Sequence, residues 1–585
     1  MLLKRSLFTT LAALSLVTVP GMSIAPPKVL AQSAPVSSQV TRSTSIASIL
    51  PAETLGVVLI NTQNDRWKEL SQFNLFPGDF AFPGAIYPTE QGASFAKDVQ
   101  PWLGDQVGIA LLSAKSIVTV SSVKDQAALS LYADRIKKSR TKAPKEIQHK
   151  GATILEFEPE KPIGEDSEKI TKKPEASKTR FFRVPKLAIA VLPGYFVSSS
   201  SAEAIKEMLD SQGSLAENPK FQRTIQNPKA ARSLVMLYGK YVEAIKAINQ
   251  TQPAELSKLS PNTPLPPTFD PNLLDPLSQF YDTAEGYVWA EPTGLRAQFA
   301  VNLKQAVPEK LLSPIATRNQ ILERLPEVNY MVTNSQNLAL YWRTLIVGLE
   351  SQPAWKKNLE QARQWMQSIV GVDDRDILPW MNGEYAVFAY PTTKGFLPAT
   401  TPNMNVAMGV MVQTSDRAAA ETALSKFNAF ITPRLGKPLV QRGTIAGQPF
   451  TNYGAVNNGR SLNFFSHGWT DQNTLLMLFG GGSLSEFNPK PTRNLTQTAN
   501  FKSAIEPFPN ANLGYFYVNQ GAFMAFVNTA LLPAFLGRSM QGNPFVTQVQ
   551  DSLGSIRSIS GASTISGDQV QFEGFLALAP RVKRQ

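Results

Sequence analysis

The sequence predicts an α+β protein made by tandem duplication of a domain in which helices pack on an antiparallel sheet. Three observations lead to this prediction. Short apolar runs are typical of strands, runs with helical spacing lie between them, and matching segments recur in the two halves of the 585-residue chain. The length and an apolar content of 43% are sufficient for more than one hydrophobic core.

The first residues have the order of parts of a secretory signal peptide. Lys4 and Arg5 precede an uncharged apolar run over residues 7–19, which is too short for a membrane span, and residues 29–31 offer a cleavage site. We expect residues 1–31 to be removed and residues 32–44 to form a flexible N-terminal segment. The mature protein would then act in the periplasm or outside the cell, or in a thylakoid lumen if its source is cyanobacterial. No later segment predicts a transmembrane span.

Composition argues against several classes of function. Loss of Lys4, Arg5 and Lys28 with the signal peptide lowers the formal charge from +12 to +9, and the remaining charge is spread along the chain. Nucleic-acid binding is therefore not expected. Without cysteine the chain has no disulfide, thiolate nucleophile or Cys-ligated metal. No motif predicts a metal site or a cofactor.

The segments that match between the two halves occur in the same order. Pro101-Trp102 corresponds to Pro379-Trp380, and each pair leads into an apolar strand. Asp125 and Asp416 each precede an Ala-rich helix, where aspartate is a favoured N-cap. Further matches join residues 49–51 with 324–326, 150–151 with 446–447, 218–221 with 499–501, and 294–299 with 567–572. These matches place a first repeat at 45–304, a second at 305–580 and a basic tail at 581–585.

Individual elements follow from local patterns. Strands are predicted at 57–60, 106–112, 117–120, 187–191, 295–303, 385–390, 405–412 and 474–479, and helices at 202–210 and 355–369. Residues 159–180 are rich in Lys and Glu and poor in large apolar side chains, which predicts a flexible charged insertion. Residues 251–276 are rich in proline, which predicts an extended connector.

Several residues are candidates for catalysis or ligand binding. Trp102 and Trp380 could stack on sugars, but their repeated position favours core packing. Ser466, His467 and Asp471 could form a triad, yet neighbouring strand residues point to opposite faces. The acidic run 373–376 is interpreted as a turn with capping aspartates, and the glycine run 480–482 as a strand-to-helix turn.

Aromatic residues in two segments provide the candidate binding surface. The first segment contains prolines and glycines that prevent a regular element, so its apolar side chains must be buried somewhere. Docking on the protein itself is the favoured interpretation, and contact with a partner, a lipid or an apolar ligand is the alternative. The residues are Phe73, Phe76, Phe80, Phe82 and Tyr87 in the first segment, and Phe523, Phe526 and Phe535 in the second.

The assembled pattern resembles a known family. A signal peptide, a Leu-Pro before a Val-rich strand, the Pro-Trp motif at 101–102 and 379–380, and an aspartate heading an Ala-rich helix are similar to the DUF3352 family of uncharacterised bacterial proteins, found largely in cyanobacteria. The resemblance spans about residues 45–580 and implies an exported protein. It supplies no catalytic residues. The second copy of the motif, residues 379–383, has one additional residue before its glycine.

Two functions remain open from the sequence. The first is a non-enzymatic binding or scaffold protein of the cell envelope, with a lipid-like ligand or a protein as its partner. The alternative is an envelope polymer hydrolase that uses a pair of carboxylates drawn from Asp105, Glu384 and Asp471. Convergence of two carboxyl groups in one cleft would favour the hydrolase.

Overall fold

The computed structural model describes residues 44–73, 95–159, 186–251, 271–306, 318–350, 353–401, 403–436, 439–457, 460–531 and 554–580. The predicted signal peptide, most of segments 32–44, 159–180 and 251–276, and the basic tail lie outside these residues. The described end of the predicted Pro-rich connector, residues 271–276, begins a 3-10 helix at Pro271–Gln279 rather than an extended segment. Within the described part of the chain, every helix is too short or too polar to cross a membrane.

The described chain forms two compact units. One contains the described residues among 31–69 and 79–290, and the other contains those among 70–78 and 291–585. The strand at Gly294–Leu303, which the sequence matches place at the end of the first repeat, pairs with Gln569–Leu578 and lies in the second unit.

The described part of the first unit contains nine antiparallel strands. They are β1 (Gly56–Asn61), β2 (Leu103–Ser113), β3 (Ser116–Val123), β4 (Lys145–His149), β5 (Ala152–Phe157), β6 (Leu187–Leu192), β7 (Tyr195–Ser199), β8 (Val235–Lys240) and β9 (Tyr281–Glu291). Hydrogen bonds join them in the order β4–β5–β6–β7–β3–β2–β1–β8–β9. Its helices are α1 (Thr44–Ala47), α2 (Asn64–Lys68), α3 (Gln126–Lys138), α4 (Ala202–Asp210), α5 (Pro219–Gln226), α6 (Pro228–Arg232) and α7 (Tyr241–Thr251).

The second unit repeats this arrangement and adds two strands. Its strands are β10 (Gly294–Leu303), β11 (Met331–Gln336), β12 (Glu384–Tyr390), β13 (Ala407–Gln413), β14 (Val440–Ile445), β15 (Gln448–Asn457), β16 (Arg460–Trp469), β17 (Thr474–Phe479), β18 (Tyr515–Asn519), β19 (Ile556–Ser566) and β20 (Gln569–Leu578). Their order is β14–β15–β16–β17–β13–β12–β11–β18–β19–β20–β10, and all pairs are antiparallel. Its helices are α8 (Leu338–Glu350), α9 (Pro353–Val370), α10 (Asp374–Ile377), α11 (Phe396–Thr400), α12 (Arg417–Leu435), α13 (Ala499–Ile505) and α14 (Gln520–Phe526).

The two units share one strand order. Strands β1–β9 and β11–β19 follow each other in the same spatial sequence, and equivalent helices precede equivalent strands. The predicted mixed α+β fold with antiparallel sheets is therefore confirmed. A duplication would produce this agreement, and the duplication itself remains an inference from the sequence matches.

Local signals in the sequence account for the helix starts. Asp125 and Asp416 cap α3 and α12, and each carboxylate accepts the backbone N–H three residues later at 3.0 Å. Helix α4 begins and ends at the predicted residues, and α9 exceeds its prediction by only a few residues.

The two tryptophans of the repeated motif each lie in a hydrophobic cluster of their own unit, which agrees with the packing interpretation. Trp102 is fully buried and Trp380 is 3% exposed. Each indole N–H donates to the carbonyl four residues earlier, to Asp98 at 2.9 Å and to Asp376 at 3.1 Å. The carboxylates of these aspartates also form ion pairs with the long helix that follows, through Arg135 and Lys426.

Candidate functional site

An unbroken row of apolar residues crosses the sheet of the second unit. It contains one residue from each of eleven strands, and each member is the direct cross-strand neighbour of the next. From β10 to β14 this apolar row consists of Leu295, Leu576, Ile559, Val518, Met331, Ala389, Met408, Phe479, Phe465, Tyr453 and Val440.

The apolar row lies on the less covered face of the sheet. Met408 is 54% exposed, Phe479 42% and Ile559 36%, whereas Phe388 and Leu478 on the opposite face are 1% and 0% exposed. Most other members of the row are half-buried. A continuous apolar surface that remains partly open marks a site of interaction more often than isolated exposed side chains do.

Two helices limit the open part of the apolar row. Phe427 of α12 packs edge-on against Tyr453 and Phe465, with ring centroids 5.7 and 5.6 Å apart. Toward the other end, α14 belongs to the same apolar cluster as Ala389. Met408 and Phe479 lie between these covered parts and are the most accessible members.

The corresponding face of the first unit is closed at its centre. Its sheet also has a main core on one side, and the residues on the other side include Val58, Ile60 and Ile109. These three side chains are at most 1% exposed, whereas Val191 of β6 on the same face is 36% exposed. Within the described residues, apolar side chains of this face as accessible as Met408 and Phe479 are therefore found in the second unit, although the two units share a strand order.

The described aromatic candidates pack on their own unit. Phe73 is buried and forms a β-bridge with Pro580. Phe526 stacks on Tyr330 with ring centroids 5.0 Å apart, and Phe523 lies half-buried in the same cluster. These placements agree with docking on the protein itself rather than with a free binding surface. Phe76, Phe80, Phe82, Tyr87 and Phe535 lie outside the described residues.

His467 is a buried histidine and not part of a triad. Its Nε2 lies 3.1 Å from Asn428 Oδ1, and its ring packs among Phe427, Tyr453 and Phe465. Burial lowers the pKa of His467 to about 4, and Arg442 nearby contributes in the same direction. Ser466 is buried on the opposite face, as the alternation of a strand requires.

The carboxylates considered for hydrolysis have structural partners. Glu384 accepts the backbone N–H groups of Arg318 and Ile321, both at 2.7 Å. Asp471 accepts two backbone N–H groups of its own turn and forms an ion pair with Arg324. Asp105 accepts a hydrogen bond from the Ser122 hydroxyl at 3.3 Å and belongs to the other unit. These contacts provide no pair of carboxylates arranged for acid–base catalysis.

The remaining polar motifs are also structural. Asp373 caps α10, as the sequence predicted, and Asp374 forms a bidentate ion pair with Arg363. The glycine run 480–482 leads to Ser483, which forms a capping box with Glu486. Among the described residues, no group of three or more His, Asp or Glu side chains is placed to hold a metal ion.

The apolar row escaped the sequence analysis because its members come from eleven separate strands. One local signal was available. Strands β13 and β17 are apolar at almost every position, although an antiparallel strand with one wet face alternates with polar residues. Such strands are either packed against other elements on both faces or leave one apolar face exposed to solvent.

Comparison with known proteins adds one assignment. A search of curated proteins found no match. Among solved structures, crystal form III of TP0453 is 11% identical, with 46% of this chain and 83% of that chain covered and a TM-score of 0.23. Crystal form IV of TP0453 is 12% identical, with 44% and 79% covered and the same TM-score. The family described as "Protein of unknown function (DUF3352)" matches residues 9–578, so nearly the whole chain belongs to the DUF3352 family.

Proposed function

We propose that the protein is exported and serves in the cell envelope as a non-enzymatic binding protein for an apolar ligand. The observation that carries this proposal is the apolar row, with Met408 and Phe479 at its most accessible part. Export is supported by the signal-peptide pattern of residues 1–31. The structural roles of His467, Glu384 and Asp471 favour binding over hydrolysis.

A single acyl chain is the ligand class that suits this surface. The row from Ile559 to Phe479 crosses six neighbouring strands, which is roughly 24 Å at the usual spacing between strands, and α14 packs against it at Ala389. One leaflet of a bilayer core is about 15 Å thick, so the accessible part at Met408 and Phe479 holds a segment of an acyl chain, and the rest of the chain extends beyond it. A protein partner that covers the same row is the second candidate.

Native mass spectrometry tests the proposal. The chain from residue 32 is purified from its native envelope fraction, and the expected result is a mass excess of lipid size that disappears on denaturation. Replacement of Met408 by Asp and of Phe479 by Ser should abolish the excess, because a charge and a hydroxyl interrupt the apolar row. Leu131→Ser is the matched control, since Leu131 is 74% exposed on α3 of the first unit.

The outcomes separate the candidates. A lipid-sized excess that is absent from the double variant and present in the control supports the acyl-chain ligand. An excess of protein size that the double variant loses would replace the lipid by a protein partner. A bare chain, or an excess that the double variant keeps, would overturn the assignment of the apolar row.

A further inference from the structure

A polar cleft opens at the corner of the second unit where β12 begins and β13 ends. Its volume is about 670 Å³, within the usual range of small-molecule sites. Gly383 lies at its base, where a Cβ atom would come within 2.6 Å of the Gln413 carbonyl oxygen. Glycine therefore allows the two strands to approach at this corner, where a larger residue would clash with Gln413.

The chemistry of this polar cleft differs from that of the apolar row. None of the described residues that line it has an apolar side chain. Arg324 and Asp471 form an ion pair, so the lining carries no net charge. The other polar side chains are neutral amides and hydroxyls, those of Asn382, Gln413, Thr414, Ser415, Gln472 and Asn473 among them.

This lining defines the class of ligand. An apolar molecule would meet no matching surface, and a charged ligand would meet a cation and an anion that already pair with each other. Amides and hydroxyls each present both donors and acceptors. A ligand whose polar groups are hydroxyls can donate hydrogen bonds to these side chains and accept hydrogen bonds from them. Neutral carbohydrates are ligands of this kind.

The first unit has a smaller cleft at its equivalent corner. Its volume is about 400 Å³, and Gly104 of the repeated motif lies at its base against Ser122. It also contains one acid and one base, Asp105 and Lys124, together with three amides. Apolar residues, Phe95 among them, contribute to this lining. The corner therefore recurs with the fold, and its fully polar form is found in the second unit.

We propose that the polar cleft of the second unit binds a neutral carbohydrate, with the side-chain amides of Gln472 and Asn473 as hydrogen-bonding groups. Both residues lie in the exposed turn between β16 and β17, at the rim of the cleft. Asn382 is held by a reciprocal pair of hydrogen bonds with Ser415 and fixes the opposite wall. This site is separate in chemistry from the apolar row and does not depend on it.

Two kinds of probe distinguish the sources of such a ligand. The chain from residue 32 is titrated with soluble cellotetraose, maltotetraose and tetra-N-acetylchitotetraose by isothermal calorimetry, and is sedimented with insoluble peptidoglycan sacculi. The expected result is saturable binding of at least one probe. Saturation by a tetrasaccharide indicates a free sugar as the ligand, and binding to sacculi alone indicates a glycan polymer.

Matched variants assign the binding to the cleft. Replacement of Gln472 and Asn473 by Ala should raise the Kd about tenfold, since two side-chain hydrogen bonds are lost. Replacement of Asn358 and Gln361 by Ala removes two exposed amides from α9 and should leave the Kd unchanged. Absence of binding to every probe, or equal binding by the two double variants, would overturn the proposal.

Discussion

The two motif tryptophans should contribute similarly to the stability of their units, because both are buried and both indole N–H groups are hydrogen-bonded. We expect Trp102→Ala and Trp380→Ala each to lower the free energy of unfolding of its own unit by about 3–5 kcal/mol. Urea denaturation followed by circular dichroism measures this change. Trp365→Ala is the control and should change stability by less than about 0.5 kcal/mol, because Trp365 is 65% exposed. A small effect at position 102 or 380 would contradict its place in the core.

At the same scale, His467 should make the second unit sensitive to acid. Its pKa of about 4 in the folded protein lies below the value near 6.5 of an unfolded chain, so the unfolded state takes up the proton first. The stabilisation that depends on a neutral His467 is fully present above pH 6.5 and is lost as the pH falls toward 4. The expected decrease in the free energy of unfolding is about 3 kcal/mol. Urea denaturation at pH 7 and pH 4.5 should show a smaller pH-dependent decrease in stability for His467→Gln than for the unmodified chain.

The partly exposed His149, the other histidine of the chain, provides the control for this comparison. His149→Gln should retain the acid sensitivity of the second unit. If His467→Gln and His149→Gln responded equally to pH, the assignment to His467 would be wrong.

At the scale of elements, one buried ion pair joins α9 to α10. Arg363 donates two hydrogen bonds to Asp374, at 2.7 and 3.0 Å, and Trp342 donates a third at 2.8 Å. Burial alone would raise the pKa of Asp374, but these bonds outweigh it and hold the pKa below its usual range.

Arg363→Leu should therefore lower stability by about 3–5 kcal/mol, because it leaves a buried carboxylate without its cation. The double change Arg363→Leu with Asp374→Leu should restore much of the loss. A double-mutant cycle from urea denaturation measures the coupling between the two residues. Equal stability of the single and double variants would show that the uncompensated charge is not the cause.

The same scale shows what the sequence could and could not predict. Strand β17 matches its predicted range, and the caps at Asp125 and Asp416 were recognisable, because each depends on residues close together in the chain. The apolar row was not predictable in this way. Met408 and Phe479 become neighbours only through the pairing of β13 with β17, and that register is set by the whole sheet. The polar cleft likewise combines three separate turns with the start of β12.

For the whole molecule, the difference between the units predicts the stoichiometry of the apolar ligand. The second unit exposes Met408 and Phe479 at 54% and 42%, and at the centre of the corresponding face of the first unit Val58, Ile60 and Ile109 are at most 1% exposed. We therefore expect one acyl-chain ligand per protein chain. Native mass spectra of the purified protein should show a single ligand mass for each chain. Two identical ligands per chain would mean that the first unit also opens this face.

The pairing of β20 with β10 has a consequence for the order of assembly. In this pair Phe299 lies opposite Phe572, so the last strand of the second unit's sheet must meet a strand made almost half the chain earlier. An N-terminal fragment that ends before residue 569 leaves β10 and β19 without the neighbour that they share. The sheet is therefore completed only after residues 569–578 have been synthesised, and a chain still emerging from a ribosome carries an unfinished sheet edge.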